Sequence, residues 1–202
     1  MTDNEIWRTY NERTKNAPPR PMLLKALALF GDFTGRAIDI GSGAGNDSLH
    51  LCSKGWEVLA VDQNPSGFEL IREKLSPEQL NQFSSLEVSF EELQTLPHCD
   101  LVNANFSVPF CHPSCFSNVL RTILGAISEN GRFAGNFFGK NDGWATNEQM
   151  TFCSIDEIKN YFSEFEIEFI EEKEFDGKNA LGSDKHWDIK QIVAKKISNR
   201  II

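Results

Sequence analysis

Apolar residues in this chain follow two rhythms, and the alternation between them predicts the fold. Compact runs rich in Val, Ile and Ala read as buried strands, while stretches with apolar residues three or four apart read as amphipathic helices. Residues 5–14 and 22–30 read as helices, separated by the Ala17-Pro18-Pro19-Arg20-Pro21 break. Strands are predicted over 36–41, 56–62, 84–90, 99–105 and 131–139, with helices over 46–54, 65–75 and 114–128 between them. The last helix carries Phe116, Val119, Leu120, Ile123, Leu124 and Ile127 at helical spacing. Ser154 and Glu157, three apart, predict a capping box that opens another helix. Two long strands follow, over 165–175 and 188–196, with no helix between them, so they pair antiparallel. The sum is an α/β fold: a three-layer, doubly wound, seven-stranded, mostly parallel sheet with an antiparallel C-terminal hairpin. We read residues 1–202 as a single domain, with 1–21 as an N-terminal helical cap and 22–196 as the core.

Composition narrows the functions open to such a domain. Apolar residues make up 40% and sixteen are Phe, enough to pack one core, while the formal net charge is −9. A chain with 29 acidic side chains against 20 basic ones repels phosphate at long range, which argues against non-specific nucleic-acid binding. The first ten residues, MTDNEIWRTY, lack the basic and apolar regions of a leader, and no apolar run reaches the roughly 20 residues of a membrane span. Five cysteines without framework spacing read as reduced thiols. The expectation is a cytoplasmic protein, monomeric or homodimeric, with no membrane or nucleic-acid partner.

The chemistry begins at Asp39-Ile40-Gly41-Ser42-Gly43-Ala44-Gly45, set between a predicted strand and a predicted helix. Gly41 permits the tight turn, Gly43 lets backbone approach a ligand, and Gly45 lets the helix pack close. A dinucleotide fingerprint needs its third glycine one position later, where this chain has Asn46. Asp39, at the end of the first strand, would crowd a pyrophosphate but suits a cationic amine. Asp62 ends the second strand, where a carboxylate can accept from both hydroxyls of a ribose.

The Asp39–Gly45 loop followed by Val61-Asp62 resembles the first two motifs of the class I S-adenosylmethionine-dependent methyltransferases, over roughly residues 22–196. The resemblance implies a Rossmann-like core that binds S-adenosylmethionine and transfers its methyl group to a small molecule. It implies that Gly41, Ser42, Gly43 and Gly45 hold the methionine portion and that Asp39 meets its amino group, directly or through water. Asp62 would hold the ribose hydroxyls and Gln63 would flank the adenine. Many family members carry an acid after the third strand that bonds the adenine amino group. Here Ser89 and Phe90 stand at that place, with Glu91 and Glu92 next, so Ser89, a shifted Glu91 or the backbone makes the contact. A nicotinamide enzyme, or a glycine turn with no ligand, remains the alternative to this cofactor.

In an open α/β sheet the ligand lies beyond the carboxyl ends of the strands. Residues 103–113, 138–152 and 176–187 should converge there, under the first helix with Trp7, Tyr10 and Arg13. The Asn103–Cys111 run, Phe138-Gly139-Lys140-Asn141-Asp142-Gly143-Trp144 and Lys185-His186-Trp187 resemble a small bacterial methyltransferase group distantly similar to tellurite-resistance and thiol enzymes. That resemblance implies that Asn105 lies against the cofactor and that Phe106, Phe110 and Trp144 line the acceptor pocket, while the position of the first helix lets Tyr10 close over it.

Displacement on a sulfonium needs a general base only when the nucleophile arrives protonated. His186 and His112 are the candidates, with Asp142 third; each histidine can equally be a surface or packing residue. Cys111-His112-x-x-Cys115 lacks the second ligand pair of a zinc site, so no metal is expected. Two other readings share the cofactor site: a protein or nucleic-acid methyltransferase, and a non-catalytic regulatory or scaffold subunit.

Overall fold

The computed structural model describes residues 3–198. Helix α1 (Asp3–Thr14) and α2 (Pro21–Phe30) precede strand β1 (Arg36–Ile40), α3 (Asn46–Ser53), β2 (Glu57–Asp62), α4 (Ser66–Arg72), α5 (Pro77–Leu80) and β3 (Phe83–Glu87). Strand β4 (Cys99–Ala104), a 3₁₀ turn (Val108–Phe110), α6 (Pro113–Ala126), β5 (Ile127–Phe138), α7 (Ile155–Tyr161), β6 (Phe165–Lys178) and β7 (Asp184–Lys196) complete the chain. The sheet order is β3-β2-β1-β4-β5-β7-β6. Pairs among β1 to β5 are parallel, and β7 lies antiparallel to both β5 and β6. The seven strands, the crossover helices and the C-terminal hairpin agree with the pattern of the sequence.

Alternation along each strand divides the core into two faces. On β1, Ile38 and Ile40 join Phe116, Leu120 and Ile123 of α6 and Phe162 beyond α7. Ala37 points the other way, with Leu23 of α2, Leu51 of α3 and Ile71 of α4. Asp39 shares the face of Ala37, which aims its carboxyl at α3. The capping box is present at α7, where Ser154 Oγ accepts from the Glu157 N–H and the Ser154 N–H donates to Glu157.

Departures from the expected boundaries fall where pairing, not local pattern, sets length. Strands β6 and β7 extend to Lys178 and from Asp184, because each pairs residue by residue through Asp176↔His186 and Gly177↔Lys185. Most of the loop expected over 176–187 is therefore strand, residues 185–187 included, and the connecting turn shrinks to 179–183. Strand β3 ends at Glu87, leaving Ser89 and Phe90 in the loop beyond it. Helix α5 and the 3₁₀ turn are too short to leave a periodic signal. Among the described residues no helix is long and apolar enough to cross a membrane.

Candidate active site

The glycine loop leaves β1 with Gly41, Gly43 and Gly45 all at positive φ (67°, 51° and 79°), the region that L side chains avoid. The Gly41 and Ser42 N–H groups donate to the Val61 carbonyl at 2.7 and 3.1 Å, which ties the loop to the end of β2. Gly45 is indispensable for another reason: a Cβ there would overlap the Ile71 side chain of α4. Gly67, at the start of α4, presses equally closely on the Gly43 carbonyl and went unremarked in the sequence.

Asp62 carries the next tier. One carboxylate oxygen accepts from the Gly43 N–H at 2.9 Å and the other from the Asn64 N–H at 2.9 Å. A carboxylate offers about four acceptor positions, so these bonds leave capacity for a ligand hydroxyl. Burial raises its pKa, and the N–H groups of Asn64, Gly43 and Gln63 oppose that rise. Gln63 is exposed beside it. Ser89 donates to Glu92 at 3.1 Å, and Phe90 packs partly buried against the α6 face of the core.

Beneath the loop lies a buried polar network. Asp39 accepts from Ser48 Oγ at 2.6 Å and from Asn103 Nδ2 at 2.8 Å. The same Asn103 amide donates to Asp47 at 2.8 Å, and Asn105 donates to Asn103 Oδ1 at 2.6 Å. Burial first, and the Asp47 charge second, push the Asp39 pKa up to about 7. Ser48, Asp47 and Asn103 were not singled out from the sequence, although Asn103 stands out as a polar residue inside an apolar strand.

The N-terminal helices close over this network. The Arg20 N–H donates to Asp47 at 2.7 Å, and Asn46 donates to the Thr14 carbonyl at 2.8 Å. Tyr10 and the buried Asn11 of α1 stand over Gly43. The Arg20 guanidinium donates to the Tyr10 hydroxyl at 3.2 Å and stacks 4.9 Å from the Phe106 ring centre. Among the described residues it has no carboxylate in ion-pair reach. Asn11 Oδ1, Ser42 Oγ and Ser107 Oγ are buried without a hydrogen-bond partner. The first lies near Gly43, the second in the loop itself, and Ser107 packs against Gly41. Unpaired buried acceptors around a glycine loop, with one cation that lacks a carboxylate partner, fit the zwitterionic end of an amino-acid-bearing cofactor.

Beyond the loop the site becomes aromatic. Phe106, held at a positive φ of 54°, sets its ring 6.1 Å from Trp187 and 6.2 Å from Phe138. Phe110 lies 5.1 Å from Trp7 of α1 and 6.1 Å from Trp144, and Trp144 lies 5.8 Å from Trp187. The Lys185 ammonium sits inside this group, 3.9 to 4.8 Å from the Trp187, Trp144 and Phe138 ring centres. Its side chain is 1% exposed and pairs with Asp142, itself 0% exposed. Asp142 also accepts from the Trp144 and Asp188 N–H groups at 3.0 and 3.2 Å, so neither member of the pair is free to serve as a base.

The structure thus brings Tyr10, Asn105, Phe106, Phe110 and Trp144 together with the glycine loop, and it separates both histidines from them. His186 alternates away from Lys185 and Trp187 on β7 and bonds Asp176 at 2.7 Å and Glu174 at 3.1 Å. Those carboxylates raise its pKa. His112 caps α6, with Nδ1 accepting from the Ser114 N–H at 3.1 Å. Among the described residues no cluster of three metal-ligating side chains forms.

Comparisons with known proteins agree with this geometry. Residues 38–133 match the family model described as a methyltransferase domain. TehB from Haemophilus influenzae superposes with a TM-score of 0.75 at 16% identity, covering 88% of this chain and 62% of its own. The chain therefore spans less than two thirds of TehB. A 1,6-didemethyltoxoflavin-N1-methyltransferase from Burkholderia thailandensis, crystallised with that compound and S-adenosylhomocysteine, gives 0.66 at 18% identity, covering 89% and 78%. The N-methyltransferase NodS from Bradyrhizobium japonicum, in complex with S-adenosylhomocysteine, gives 0.66 at 11%, covering 94% and 97%. No curated protein sequence matches.

Proposed function

We propose that this chain is a class I S-adenosylmethionine-dependent methyltransferase and that it methylates a small molecule held among the aromatic side chains beside its glycine loop. One observation carries the reading: loops from β4, β5 and the C-terminal hairpin meet α1 in a cluster of rings directly beyond the loop that fits the cofactor. A pocket walled by Phe106, Phe110, Trp144 and Trp187 suits a compact apolar or planar acceptor. The net charge of −9 weighs against a nucleic-acid acceptor. A cytoplasmic setting suits five unpaired thiols.

The bound cofactor supplies an activated methyl group on a sulfonium centre. The work left to the chain is binding, orientation and exclusion of water. Asp62 would accept from the ribose hydroxyls. Asn11 Oδ1 and the Ser42 and Ser107 hydroxyls, with the Asp39 carboxyl beneath the loop, would meet the ammonium of the amino-acid end, and Arg20 its carboxylate. Asn105 would lie between the cofactor and Phe106, and α1 with Trp7 and Tyr10 would seal the site from solvent. Both ring nitrogens of His186 bond carboxylates, whereas His112 is engaged through Nδ1 alone, so an acceptor that presents its lone pair unaided needs neither and a protonated one would have only His112.

The test is a labelled-methyl screen against thiols, amines, oxyanions and fractionated metabolite extract, run beside calorimetry with S-adenosylhomocysteine. The expected outcome is micromolar binding and label in a small-molecule fraction. Label confined to protein or nucleic acid overturns the acceptor class. Tight binding without any transfer makes the chain a non-catalytic subunit.

A further inference from the structure

Two side chains in the sheet are buried with polar atoms that bond to nothing. Asn136 of β5 is 0% exposed, and both its Oδ1 and its Nδ2 lack a partner. Gln191 lies directly across from it on β7, 7% exposed, with Oε1 also unpartnered. A buried polar group without a partner destabilises the fold, so two facing amides left unsatisfied need a reason.

Their position supplies it. Strand alternation puts Asn136 on the face of Ala134 and Phe138, and Gln191 on the face of Trp187, Ile189 and Val193. The next rung toward the carboxyl ends is Phe138 opposite Ile189, the base of the aromatic cluster. The next rung inward is Ala134 opposite Val193, both in the fully apolar core. The amides therefore form a polar step where the fully apolar core ends and the aromatic cluster begins. On the same face Asn103 pairs with Ala134, so the step also adjoins the network beneath the cofactor loop.

Resting on the methyl-transfer reading above, we propose that Asn136 and Gln191 form the recognition floor of the acceptor pocket, and that the acceptor is a flat heterocycle with a donor and an acceptor side by side on one edge. An amide offers a donor and an acceptor together and no charge, so it reads a hydrogen-bond pattern rather than an ion. Rings set edge-on and tilted around Phe138 accept a planar body, and the amides beneath then read its edge. The ammonium nearby is consumed by Asp142, which leaves the amides as the polar groups on that floor. Both amides are closed off from solvent, so an acceptor reaches them only by displacing side chains of the aromatic cluster above.

The experiment compares the full-length protein with Asn136→Leu and Gln191→Leu, using thermal unfolding, S-adenosylhomocysteine calorimetry, and thermal shift with uracil, hypoxanthine and pterin at millimolar concentration. Removing an unsatisfied buried amide should raise the melting temperature of the empty protein by a few degrees. S-adenosylhomocysteine affinity should stay within twofold. At least one heterocycle should stabilise the parent, in the presence of S-adenosylhomocysteine, and lose that effect at least tenfold in affinity in the variants. A fall in melting temperature in both variants means the amides are structurally satisfied and overturns the proposal. Heterocycles that shift neither parent nor variants, or shift them equally, overturn it as well. Loss of S-adenosylhomocysteine binding by the parent would instead strike the cofactor reading itself.

Discussion

The two halves of the site are built from different materials. Around the glycine loop the structure uses backbone N–H groups, short polar side chains and a carboxylate, with several acceptors left open: Asn11, Ser42 and Ser107. Across the Phe106 loop it uses rings and one ion pair whose members are fully engaged. The first half is organised to receive polar groups of fixed spacing. The second is a packed wall with its own charges cancelled, and it takes shape rather than charge. A cofactor that never changes can be met by rigid backbone, whereas an acceptor is met by side chains that differ from chain to chain.

Asp62 is where breaking the first half should cost most. Its carboxylate holds the loop through Gly43 and its own turn through Asn64. Two further bonds to a ribose, at roughly 1.5–3 kcal/mol each, would go with it. Asp62→Ala should lower S-adenosylhomocysteine affinity by about 10²-fold or more in protein that remains folded. Calorimetry giving the parental affinity would show that the ribose lies elsewhere.

The second half should break in stability rather than in cofactor affinity. Asp142→Ala leaves the Lys185 ammonium buried without its partner, which typically costs about 3–5 kcal/mol. Lys185→Met with Asp142→Leu removes both charges and should recover most of that loss, read by urea unfolding. Both proteins should bind S-adenosylhomocysteine nearly as the parent does. Should the single variant unfold like the parent, the pair is not what fixes the loop after β5 to β7.

The same contrast explains what could be read in advance. The glycine loop and Asp62 are local: their meaning lies in consecutive residues between a strand and a helix. The capping box at Ser154 and the antiparallel ending are local in the same sense. The aromatic wall is assembled from residues far apart in sequence, and Lys185 finds Asp142 only because β7 pairs with β5. His186 shows the limit most clearly. Read as loop it faced the pocket, but in a strand that begins at Asp184 its side chain points to the opposite face from Lys185 and Trp187. Asn136 did leave a trace, an amide inside the apolar run from Phe133 to Phe138.

Arg20 joins the two halves, since it donates to Tyr10, stacks on Phe106 and has its backbone N–H on Asp47. With a carboxylate of the cofactor as its partner, Arg20→Met should weaken S-adenosylhomocysteine about tenfold, the loss of one charge-assisted bond. Binding of 5′-methylthioadenosine, which lacks the amino-acid end, should not change. Equal losses for both ligands would assign Arg20 to packing on Phe106 instead.

The smallest effect tests the polar half through Asp39. Burial and Asp47 push its pKa up to about 7, above the ordinary value near 3.9. Between those values the folded protein holds a proton that the unfolded chain has lost. Stability of the empty protein from this group is therefore full at low pH and falls as pH rises toward 7. Cofactor binding runs the other way: an ammonium above the loop favours the ionised carboxyl and expels the proton. S-adenosylhomocysteine affinity should then climb about eightfold from pH 6 to pH 7.5 and level off above that, if only the ionised form binds. Asp39→Asn keeps the shape and the bond to Ser48 but cannot ionise, so its affinity should be flat over the same window. A parent without the slope, or a variant that retains it, would place the titrating group elsewhere in the network and free Asp39 from any role in meeting the cofactor's charge.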